Sequence, residues 1–98
     1  MSQPLILRPD AEADVLAIHA TLEQAQLGLG AKFTQRLRDV LERIEAMPQL
    51  YGVIAQDVRA ARLRKFRYIV YYVLLLERVE VLAVLHSSRH SSAWQSRT

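Results

Sequence analysis

The sequence predicts an α+β domain of order β-α-α-β-β-β: an N-terminal strand, then an antiparallel helical hairpin packed on one face of an antiparallel β-sheet. Three observations predict it. Apolar residues fall at helical spacing over two consecutive stretches, 11–25 and 33–47, and Gly28 and Gly30 interrupt them. Beyond Tyr51-Gly52 the pattern changes to runs dense in β-branched and aromatic residues. The short apolar segment Pro4–Arg8 (PLILR) precedes everything else and reads as a strand.

Each element has a local reason. In the first helix Ala11, Val15, Ile18, Leu22 and Ala25 share a face. Asp10 after Pro9 reads as its N-cap, and Glu12 and Asp14 suit the positive end of the helix dipole. The second helix aligns Phe33, Leu37, Val40, Leu41, Ile44 and Met47, and Pro48 ends it. Arg36, Arg38 and Arg43 interleave with Asp39, Glu42 and Glu45, which reads as a solvated face with i,i+4 pairs. His19 lies beside the apolar stripe of the first helix and reads as structural. Strands follow at Val58–Lys65, Phe66–Leu76 and Val79–His86, with a turn at Glu77-Arg78. The middle strand is apolar on both faces, because Phe66, Tyr68, Val70, Tyr72 and Leu74 alternate with Ile69, Tyr71, Val73 and Leu75. Helices on one side alone leave one row in water. A partner chain or dimer mate is the favoured cover; the C-terminal tail is the other candidate.

Composition sets the limits of function. A chain of 98 residues forms a single domain, 1–98, without a second lobe. It has no cysteine, so there is no disulfide framework or thiolate chemistry, and a reducing, cytoplasmic setting is expected. No apolar stretch approaches the roughly 20 residues that cross a bilayer, and no signal peptide is legible. The net charge of +3 is unevenly spread: residues 1–50 carry five Lys/Arg against seven Asp/Glu, residues 51–98 eight against three. Seven of those eight cations are Arg, whose planar fork suits phosphate or carboxylate. An anionic partner, nucleic acid or an acidic protein segment, is one reading; a solvated basic edge is the other. His86 and His90 stand four apart, but in a Ser-rich loop without cysteine or acidic ligands, so neither metal nor cofactor is expected.

The order of elements, the length and the tail resemble the RelE/ParE superfamily, the toxin components of bacterial type II toxin–antitoxin modules, and within it the ParE-like plasmid stabilisation toxins. The resemblance is carried by "AEADVLAIHA", "FTQRLRDVLERIEAMPQLYG", "LRKFRYIVYYV" and the ending "VEVLAVLHSSRHSSAW", a His-x-x-Arg…Trp tail. Phe66-Arg67-Tyr68 departs from the Phe-Pro-Tyr of many such members. The resemblance implies a toxin that arrests growth until a cognate antitoxin masks it. ParE-like members poison DNA gyrase without chemistry of their own, whereas RelE-like members cleave mRNA on the ribosome without metal.

Fold alone does not choose between these activities. Metal-free RNA cleavage requires a base, an acid and cations at phosphorus. His86 is the candidate base and Arg89 its cationic companion, but the tyrosine that RelE-like nucleases bring near the C-terminus is missing. The tail offers Trp94, which stacks but transfers no proton. Gyrase inhibition is therefore the expected activity, the ribonuclease the alternative, and a non-toxic binding module with the same fold the third reading. Arg59, Arg62, Arg64, Arg67, His86, Arg89 and Trp94 are the candidate target- and anion-binding residues. Tyr68, Tyr71 and Tyr72 are the candidates for antitoxin binding, to an acidic amphipathic segment laid on the sheet.

Overall fold

The structure is a computed structural model and describes residues 3–89 and 92–98. Strand β1 (Leu5–Leu7) leads into helix α1 (Pro9–Ala25) and helix α2 (Leu29–Ala46). Strands β2 (Val53–Ala55), β3 (Val58–Arg62), β4 (Tyr68–Leu74) and β5 (Val79–His86) follow, and the short helix α3 (Ser92–Gln95) closes the chain. The α+β class and the helical hairpin on one sheet face are as the periodicity predicts. The five strands run in the order β1-β5-β4-β3-β2. The sheet is mixed rather than wholly antiparallel, because β1 lies parallel to β5. A strand joined to the meander through a long two-helix crossover is free to enter in the direction of the last strand.

The α1–α2 turn depends on two glycines and one carboxylate. Gly28 takes φ of +88°, a left-handed conformation that a side chain disfavours. At Gly30 a Cβ would stand 2.9 Å from the His19 ring and from Glu23 Oε1, so the helices approach where no side chain intervenes. Glu23 accepts the Gly28 N–H (2.9 Å) and the Gly30 N–H (3.0 Å), satisfying amides that the start of α2 leaves without helical partners. These two bonds hold the Glu23 carboxyl below its usual pKa of 4.5. A lowered folded-state pKa contributes stability that is full above the ordinary value and is lost as pH falls through the lowered one. Glu23→Gln is therefore expected to flatten the decline in urea midpoint between pH 7 and acid, measured against the parent chain.

Beneath the hairpin, Phe33, Leu37, Val40 and Ile44 meet Val70, Tyr72, Val81 and Val84. Tyr72 is fully buried there and donates its hydroxyl to the Pro48 carbonyl at 2.6 Å. A bulge in β5 shifts the register between Ala83, opposite Tyr71, and Val81, opposite Tyr72, so Leu82 has no partner on β4. Leu82, Ala83 and Leu85 consequently join Val58, Ile69 and Tyr71 in a second core on the sheet's other face. Trp94 covers this core, 3% exposed and stacked on Tyr71 at 5.4 Å and 19°. The expectation that a partner chain covers the outer row is corrected for this stretch: the chain's own tail does so.

Several boundaries also differ from expectation. Helix α1 begins at Pro9 with Arg8 as N-cap and no side-chain cap, so Asp10 lies within its first turn. Strand β2 was not expected; it returns to β3 through Gln56 and Asp57, both at positive φ (52° and 67°). That is a two-residue hairpin turn made without the Asn-Gly that usually signals one. The i,i+4 ion pairs expected on α2 do not form. The four ion pairs among the described residues all involve Arg8, Arg78 or Arg97.

Candidate functional site

Strand β1 is short, and this has a consequence for β5. It accompanies only Val79–Val81, leaving the rest of the β5 edge without a strand. Two side chains take over. Asp14 of α1 accepts the Val84 N–H at 3.0 Å, and Arg97 donates to the Leu82 carbonyl at 3.1 Å. Arg97 and Asp14 also bind each other through two nitrogens, at 2.6 and 3.2 Å. Arg8 donates to the Arg97 carbonyl at 2.9 Å and pairs with Glu80 at 2.8 Å. The tail is thus strapped across the sheet edge, and the strap seats Trp94. The Asp14 carboxylate raises the Arg97 pKa against the opposing effect of burial.

Beside the strap, between α1 and the end of β5, opens a cavity of about 230 Å³ lined in part by Asp14, Thr21, Tyr68, His86 and Arg89. Register sets Tyr68 opposite His86, with ring centroids 5.3 Å apart in an edge-to-face pair. The Ser88 backbone N–H donates to His86 Nδ1 at 3.0 Å, and the Ser88 hydroxyl lies 2.8 Å from the same nitrogen. A ring nitrogen that accepts an amide N–H carries no proton, so the neutral imidazole is protonated at Nε2. The ring is a strand-end anchor as much as a functional group. Tyr68, expected only as an antitoxin contact, is distant along the chain, and the β4–β5 register brings it to His86.

The remaining expected residues divide into two groups. Arg67 and Arg89 share this end of the sheet: the Arg67 carbonyl accepts the Ser87 N–H at 2.7 Å, and Arg89 follows in the turn closed on His86. Both side chains are exposed and in no ion pair among the described residues. Arg62 and Arg64 line a hollow on the far side, near α2, and Arg59 is spent on the Tyr51 carbonyl at 2.6 Å. Trp94, expected to touch a target, is buried instead. Tyr71 lies under it and Tyr72 lies in the inner core, so of the three tyrosines expected to meet an antitoxin only Tyr68 is half-exposed. Burial pushes the Tyr71 and Tyr72 phenols above their usual pKa, with Arg62 and Arg59 respectively opposing it.

His90, weighed with His86 as a metal ligand, lies outside the described residues. Among the described residues no group of three or more His, Asp or Glu is placed to hold a metal ion. No helix among them is long and apolar enough to cross a membrane. Large apolar side chains are exposed at the opposite pole, where Met47, Leu50, Val53, Ile54, Leu75 and Leu76 are each at least 40% accessible.

Comparison with known proteins agrees with this picture. Residues 5–90 match the sequence profile of the ParE toxin of the type II toxin–antitoxin system parDE. Among solved structures, a chain of the chromosomal ParDE TA system from P. aeruginosa superposes with a TM-score of 0.77 at 16% identity. The match covers 87% of this chain and 96% of that one. A search of curated proteins finds no match.

Proposed function

Because the chain belongs to the family of ParE toxins of type II toxin–antitoxin systems, we propose that it arrests growth by binding and inhibiting DNA gyrase in the cytoplasm, without catalytic turnover, until a cognate antitoxin masks it. The observation that carries the non-catalytic part is the tether on His86. A base must accept a proton on a free lone pair, and the His86 Nδ1 lone pair is engaged by the Ser88 amide. What the site offers instead is a pair of exposed cations at one end of the sheet, Arg89 lining the cavity and Arg67 in the turn bonded to Ser87. Such a pair suits recognition of an acidic protein surface.

The antitoxin is expected to cover apolar surface. With the tyrosine row enclosed, the surface suited to the apolar side of an amphipathic segment is the exposed pole around Met47, Leu50 and Leu75. A homodimer through the same pole is the competing use of it.

One observation favours a second reading. Tyr68 and Arg89 line the same cavity as His86, so a ribosome-dependent ribonuclease would find in Tyr68 the acid that the tail lacks. The deciding experiment is a gyrase supercoiling assay with the purified chain, with the antitoxin encoded beside it as the reversal control. Dose-dependent inhibition is expected, unchanged by His86→Ala and weakened about tenfold by Arg67→Glu with Arg89→Glu. Absence of inhibition by folded protein, together with mRNA cleavage that His86→Ala abolishes, would establish the ribonuclease instead. Truncation of the tail is a poor probe, since it removes the Trp94 cover and the Arg97 strap together.

A further inference from the structure

The longest unpaired run of positive charge lies away from the His86 cavity. On α2, Lys32, Arg36 and Arg43 are four and seven residues apart, within about 40° of one another around the helix. They span about 16 Å of its length. Across from them the chain from Arg62 to Phe66 contributes Arg62, Arg64 and Lys65. Together they border two hollows, one of about 500 Å³ with Lys32, Arg36 and Lys65 and one of about 490 Å³ with Arg43, Arg62 and Arg64. No acidic residue lines either hollow. The nearest on the helix, Asp39, accepts from the Gln35 amide at 3.2 Å. None of the six cations takes part in an ion pair among the described residues.

We propose that this cationic track between α2 and the Arg62–Phe66 segment binds the phosphate backbone of a nucleic-acid strand. Four of the six cations are Arg, whose fork matches phosphate oxygens. Half-buried Tyr51 and Phe66 line the hollows, and bases stack on aromatic rings of this kind. An acidic peptide fits less well. Peptide segments gain affinity from apolar anchors, and none of the large exposed apolar side chains lies in either hollow. A row of unpaired cations is the signature of backbone binding, in which released counterions drive association. The inference stands whether or not gyrase is the target.

The test is fluorescence anisotropy of a labelled single strand of about 20 nucleotides, and of its duplex, titrated with the full chain at several salt concentrations. Six phosphate contacts predict a slope of log K against log salt near −4 for the single strand. Arg43→Gln with Arg64→Gln is expected to make that slope shallower by about 1.4 and to weaken binding at low salt more than tenfold. Arg38→Gln removes a charge about 200° around α2 from Arg36 and is expected to change neither. Circular dichroism confirms that each variant is folded. Absence of binding near 50 mM salt would overturn the proposal. So would equal weakening by Arg38→Gln and Arg43→Gln, which marks net charge rather than a site. Binding of a Glu-rich peptide through Arg43 and Arg64, with no oligonucleotide binding, would also overturn it and make the track a protein-docking surface.

Discussion

Replacing Trp94 by alanine is expected to lower the free energy of unfolding by about 3–4 kcal/mol, a large share of the ~5–15 kcal/mol that holds a domain folded. The indole is 3% exposed and stacked on Tyr71, and its removal opens Ile69, Tyr71 and Leu85 on the outer face to water. Urea unfolding followed by far-ultraviolet circular dichroism measures the loss without needing the tryptophan. A change below about 1 kcal/mol would mean that the tail does not pack on the sheet in solution.

The second large effect concerns the strap. Arg97→Ala removes the partner of Asp14 and the donor to the Leu82 carbonyl. Asp14→Ala removes the partner of Arg97 and the acceptor of the Val84 N–H. The Arg97 and Asp14 side chains are 21% and 15% exposed. The loss should therefore fall short of the ~3–5 kcal/mol seen for fully buried pairs, at about 2 kcal/mol for each substitution. The double substitution should cost about 1–2 kcal/mol less than the sum of the single ones, because the two groups share one interaction. Trp94 is the sole tryptophan, so its emission reports docking of the tail directly. A red shift in either variant is expected at temperatures where circular dichroism still shows a folded sheet. An unshifted spectrum would show that Trp94 stays seated without the strap.

Both predictions concern the same question of why the apolar run of β5 ends in a basic, aromatic tail. Val81–Leu85 is apolar because both faces of the strand are covered, one by the helical hairpin and the other partly by the tail. The tail carries Trp to fill the outer face and Arg to close the strand edge that β1 leaves bare. Arg67 and Arg89 are left exposed at that end of the sheet.

The sequence by itself determined the order of elements, the helical hairpin, the extent of β5 and the family resemblance. Each rests on local information: helical spacing in α1 and α2, glycines at the break, a dense β-branched run in β4 and β5. Strand β2 escaped it because Gln56-Asp57 makes its turn without the usual residues, at positive φ imposed by the pairing around it. Only the tertiary structure decided that β1 runs parallel to β5, that Tyr68 faces His86 and that Trp94 is enclosed. It alone also placed Arg62 and Arg64 opposite Arg43 rather than beside Arg89. These depend on register and on a crossover that joins residues as far apart as Asp14 and Arg97. Periodicity along a chain specifies which face of an element is apolar, but not which distant residue comes to cover it.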